Sequence, residues 1–65
     1  MKLLDVVALT EDLQEKGLHK GQVGTIVELL APQVYEIEFN GLDGKTYATA
    51  AVSEKLLIRL IHEPA

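Results

Sequence analysis

Two histidines, one serine, four threonines and a closely spaced glutamate pair are the side chains in this sequence that could carry chemistry. His19 and His62, with Asp12 or Glu63 brought near, would make a His/carboxylate set for a divalent metal. Neither histidine has a second at ligand spacing and both fall in polar stretches, so no metal is expected. Nucleophilic catalysis needs a hydroxyl or thiol beside an oriented base. Ser53 stands before Glu54-Lys55-Leu56, where a serine caps a helical turn. Thr10, Thr25, Thr46 and Thr49 lie on or beside β-prone segments, which accounts for them. Glu36 and Glu38 are two apart, so on a strand their carboxylates share one face about 7 Å apart. That separation suits a glycosidase-like pair or a hard-cation site; it equally suits a solvated face that keeps the sheet soluble, or one that meets a basic protein. Gly17, Gly21, Gly24, Gly41 and Gly44 form neither a dinucleotide-binding nor a P-loop pattern. The chain is therefore expected to be no enzyme and to hold no cofactor.

Composition narrows the remaining classes. The chain has 65 residues and a net charge of −4, from ten acidic and six basic side chains. Nucleic-acid affinity rests on phosphate neutralisation, so nucleic acid is not an expected partner. With no cysteine, there is neither a disulfide framework nor a thiolate metal site. No apolar run approaches the roughly 20 residues of a membrane span, and no signal-peptide core develops after Met1-Lys2-Leu3-Leu4-Asp5. A cytoplasmic protein without membrane contact is expected, folded as one domain over 1–65.

The elements that must position these residues are strands, because the dominant hydrophobic period is two. Residues 5–10 form the first, with both Val6/Ala8 and Val7/Leu9 apolar, so its inward parity stays open. Residues 11–22 make a long loop pinned by Leu13 and Leu18, with room for one helical turn before Gly17. The second strand runs over 23–30, and Gly24 inside it signals a bulge or a close backbone approach. Ala31-Pro32-Gln33 is a turn. Over 34–39, Tyr35, Ile37 and Phe39 face one way and Glu36 and Glu38 the other. Asn40-Gly41 and Asp43-Gly44 favour a short hairpin loop into a fourth strand over 45–52. A Ser53-capped 3₁₀ turn then leads to a fifth strand over 56–61, in competition with a helix over 53–62. The fold expected from this order is mostly β: a five-stranded SH3-like small barrel with a long loop after the first strand.

Three stretches carry a family resemblance. Asp5 to Leu13 with Gly17-Leu18 and Lys20 to Glu28, then Val34 to Phe39, then Asp43 to Ala48, resemble domain of unknown function family 4926. The similarity covers nearly the whole chain and implies a small bacterial SH3-like protein, with no assigned activity. More distantly, Gly21 with Gly24-Thr25-Ile26-Val27 is similar to the glycine-centred segment of KOW-type translation domains, which often contact RNA. Their RNA-binding members carry Lys and Arg clusters, whereas only Lys20 lies near the matching segment here.

Two candidate partner-binding surfaces follow. One is the acidic strand face at Glu36 and Glu38, which fits an accessory or antitoxin-like subunit docking on a basic partner protein. The other is the loop Glu11 to Gln22, where Lys16, His19 and Lys20 would serve the alternative, a KOW-like RNA- or ribosome-associated domain. Ile26, Leu30, Val34, Ile58 and Ile61 exceed what so small an interior absorbs, so apolar surface is expected outside, with weak self-association.

Overall fold

Alternating apolar and polar side chains draw this chain into strands, and the computed structural model, which describes residues 1–40 and 46–60, contains five of them. They are β1 (Val6–Leu9), β2 (Val23–Ala31), β3 (Val34–Asn40), β4 (Thr46–Ser53) and β5 (Leu57–Arg59). One antiparallel sheet joins them in the order β4-β3-β2-β1-β5. Two 3₁₀ turns, Gln14–Lys16 and Glu54–Leu56, complete the described elements. This is the mostly-β, five-stranded layout expected from the hydrophobic period. Residues 41–45, which hold most of the expected hairpin loop and the first residue of the expected fourth strand, and residues 61–65, with His62, Glu63 and Ile61, lie outside the described residues.

The competition between strand and helix after Ser53 ends in favour of the strand. The Ser53 hydroxyl accepts a bond from the Lys55 amide at 3.4 Å, one 3₁₀ turn follows, and Leu57 returns to extended backbone. β5 is nonetheless shorter than the expected 56–61, because Leu56 closes the turn and only Leu57–Arg59 pair with β1.

Packing decides the parity of β1. Val7 and Leu9 join the core, and the smaller Ala8 is buried on the opposite face, in register between Val23 and Ile58. The core also takes Ile26, Tyr35, Ile37, Phe39, Ala50, Val52 and Leu57, together with Leu18 from the long loop. Every strand contributes to this one cluster, so the sheet curls around a shared interior.

The curl has a local cause in β2. Ile26 pairs with Ile37 and Glu28 pairs with Glu36, which leaves Val27 unmatched; Leu29 pairs with Tyr35 and Ala31 with Val34, which leaves Leu30 unmatched. Extra residues of this kind bend a strand and increase its twist. Gly24 is not one of them. A Cβ there would lie 2.6 Å from a methyl of Ile37 and 2.8 Å from the Glu38 carbonyl oxygen, so Gly24 marks the close approach of β3.

Loop geometry ties these parts together. Leu13 and Leu18 exchange backbone bonds of 2.9 and 3.1 Å, which closes the 3₁₀ turn, and Gly17 ends it in the left-handed region at φ 68°. At the β2–β3 turn, Pro32 holds φ negative at the first central position, leaving Gln33 to adopt φ 63°. The Glu54 amide donates to the Gln33 carbonyl at 2.8 Å, tying this turn to the one before β5. Among the described residues no helix is long and apolar enough to cross a membrane.

Candidate functional site

β3 builds the acidic face by simple alternation. With Tyr35, Ile37 and Phe39 buried, Glu36 and Glu38 must project outward, and both are half-buried there among neighbouring strands. Glu38 stands between Thr25 of β2 and Thr49 of β4; Glu36 stands between Glu28 and Ala51. Directly opposed side chains in antiparallel strands have Cβ atoms about 4.5–5.5 Å apart, so Glu28 and Glu36 face each other across the β2–β3 pair.

Glu28 belongs to this face only because of the bulge. In a regular strand Gly24, Ile26 and Glu28 would share the inner side. The unmatched Val27 reverses the parity and carries the carboxylate outward. Glu28 is the member of the site that sequence reasoning missed. A glutamate at an inward-parity position of an otherwise apolar face was the signal that could have found it.

Among the described residues no cation lies within ion-pair distance of the three carboxylates. Among the described residues the ion pairs are Arg59 with Asp5 at 3.9 Å and the N-terminal amine with Glu54 at 3.8 Å. Neither involves the acidic face. No group of three His, Asp or Glu side chains among the described residues is arranged to hold a metal ion.

The loop candidates present a different picture. Lys16 closes the first 3₁₀ turn, and Lys16, His19 and Lys20 are all exposed. Their local bonds are made by the backbone: the His19 amide donates to the Gln22 side-chain oxygen at 3.1 Å, and the Lys20 amide donates to Asp12 Oδ1 at 2.7 Å. Glu11, Asp12 and Glu15 are exposed on the same loop, so its acidic side chains outnumber its two lysines. Asp12 to Lys16 line a shallow open depression in this loop.

The apolar surplus falls elsewhere than expected. Ile26 is fully buried and Val34 half-buried, which corrects their assignment to the outside; the inward parity of β2 up to the bulge takes Ile26 into the core. Leu30 and Ile58 are exposed as expected. On the outer side of the sheet, Ile58, Ala8 and Val23 form one cross-strand row, and Leu60 and Val6 lie beside it through the Leu60 amide to Val6 carbonyl bond at 2.8 Å. The second row continues through Thr25 to Glu38, so this apolar strip adjoins the acidic face.

Tyr35 links the core to the turn before β5. Its ring is buried, and its hydroxyl donates to Glu54 Oε1 at 3.1 Å. Burial of the phenol pushes its pKa up, with further contributions from the hydrogen bond to Glu54 and from the negative charges of Glu54 and Asp5. Tyr35 and Phe39 are thus core residues, unavailable to an aromatic peptide groove or a methyl-lysine cage.

A family model, described as Domain of unknown function (DUF4926), matches residues 3–59. The match spans β1 through β5 and so covers the acidic face, the long loop and all of the apolar strip but Leu60. No curated protein and no solved structure matches the chain.

Proposed function

We infer the following role for the chain, which belongs to the DUF4926 family: it is a non-enzymatic protein-interaction module whose acidic sheet face docks a basic partner protein. The observation that carries this reading is the opposition of Glu28 and Glu36, with Glu38 beside them and no cation within ion-pair distance among the described residues. Like charges placed directly opposite weaken a sheet. Within the sheet this opposition is repulsive, whereas lysines and arginines arriving from outside would relieve it.

The neighbouring apolar strip supports the same reading, because interfaces combine an apolar centre with a polar rim. Opposite charges would also steer the encounter, giving an association rate that falls as salt rises. An accessory or antitoxin-like subunit fits this description. The KOW-like RNA-associated alternative is less favoured, because Lys16 and Lys20 share their loop with Glu11, Asp12 and Glu15.

Titration of the isotope-labelled chain with decalysine, followed by amide NMR, tests the reading. The expected shifts centre on Glu28, Glu36 and Glu38, and binding weakens about tenfold in E28Q/E36Q/E38Q or on raising salt to about 0.5 M. Shifts that map elsewhere, or that ignore the triple substitution, would overturn it. Retention on tRNA at about 0.15 M salt, with shifts at Lys16, His19 and Lys20, would favour the RNA alternative.

A further inference from the structure

Among the described residues the sheet has two edges, β4 and β5, and they are protected very differently. β5 is three residues long and ends in Arg59, both features that discourage pairing with another strand. β4 is eight residues long and contains no charged residue and no proline. Its irregularity falls at Tyr47, since Asn40 pairs with Thr46 and Phe39 with Ala48. From Ala48 to Ser53 the register with β3 is unbroken, and among the described residues no strand pairs with the far side of β4. Such an edge presents unpaired backbone donors and acceptors to any strand that meets it.

We propose that the strand meeting it is β4 of a second copy, so that two chains join antiparallel across a two-fold axis and their sheets become one. Identical antiparallel strands are self-complementary by symmetry, and one register satisfies both partners. With the axis at Ala50, Thr49 lies opposite the partner's Ala51 and Ala48 opposite the partner's Val52. Thr49 and Ala51 are exposed on the outer face while Ala50 and Val52 lie inward, so the seam pairs like environments and contains no charge.

Charge selects this edge for a chain of net −4. Glu36 and Glu38 sit one strand inward of β4. Across the seam they would be three strand spacings from their counterparts, about 14 Å at about 4.8 Å per strand. That exceeds the screening length of about 8 Å at 0.15 M salt. Self-association through β4 therefore strengthens with salt, opposite in sign to the docking of a basic partner and independent of it. A five-residue seam is smaller than the roughly 1,200 Å² of a standard stable interface, so the dimer is weak and populated only near about 1 mM chain.

Sedimentation equilibrium and amide NMR between about 50 μM and 1 mM, at about 10 mM and 150 mM salt, test this. The expected result is a mass rising towards the dimer at high concentration and high salt, with line broadening confined to Ala48–Val52. T49K/A51K places lysines opposite lysines across the seam. It should weaken self-association at least about tenfold while keeping a dispersed amide spectrum. A native chain that stays monomeric throughout, a dimer whose broadening maps to Val6, Ile58 and Leu60, or a dimer undisturbed in T49K/A51K would each overturn the proposal. Should T49K/A51K not fold, the salt series decides alone: association that weakens as salt rises overturns it.

Discussion

β2 is two different structures on one strand. Up to Ile26 it is a packed element: Gly24 and Ile26 are buried, and β3 approaches so closely that no side chain fits at position 24. From Val27 onward every residue is exposed, and the two unmatched positions turn the chain away from the core. The same hydrophobic types occur in both halves, yet Ile26 is fully buried whereas Leu29 is 52% exposed. Hydrophobicity alone does not place a residue inside. Nor does register alone, since Leu29 stands opposite the buried Tyr35, but one inserted residue is enough to move a carboxylate from the core side to the outer face.

Substitutions on either side of Val27 can break or sharpen this contrast. The largest effect is expected at Ile37, the core partner of Ile26. Ile37→Ala should lower unfolding free energy by about 2–5 kcal/mol, read by urea denaturation. Gly24→Ala should follow with about 1–3 kcal/mol, because the new methyl meets the Glu38 carbonyl and the side chains of Ile37 and Phe39 at once. Gly21 is an internal control: it has φ 86° but open space where a Cβ would stand, so Gly21→Ala should cost about 1 kcal/mol through backbone strain alone. A smaller effect than Gly21→Ala at position 24 would mean that β3 does not approach as described.

Beyond the bulge the signs change. Glu28→Lys replaces repulsion across the β2–β3 pair with attraction to Glu36 and should stabilise by about 0.2–1 kcal/mol. A destabilisation instead would place Glu28 on the inner face and remove the bulge from the description. Leu30→Ser should stay within about 0.5 kcal/mol of the parent, since its side chain is exposed.

The smallest effect at neutral pH concerns Tyr35, which lies opposite Leu29 and anchors this half of the strand through Glu54. Its pKa is raised in the folded chain, mainly by burial. The unfolded chain therefore releases the phenolic proton first. The stabilisation is complete below the ordinary tyrosine value near 10 and is lost as pH climbs through the folded value. Thermal midpoints should decline above about pH 10 in the native chain, and Tyr35→Phe should flatten that part of the profile.

Much of this was legible in the chain itself. Tyr35, Ile37 and Phe39 alternating with Glu36 and Glu38 determined both faces of β3, because a strand projects successive side chains to opposite sides. Gly17 determined the end of the first 3₁₀ turn, and Ser53 the start of the second, through backbone freedom and capping that act within a few residues. Family membership over residues 3–59 was carried by the sequence pattern as well. Three things waited for the tertiary structure. Val7 and Leu9 rather than Val6 and Ala8 face the core, since both sets are apolar and only the packed interior distinguishes them. Gly24 proved to be a close approach, because the neighbour that fills its missing side chain comes from another strand. Glu28 joined the acidic face because a bulge is a mismatch between two strands, and a mismatch exists only once both are paired.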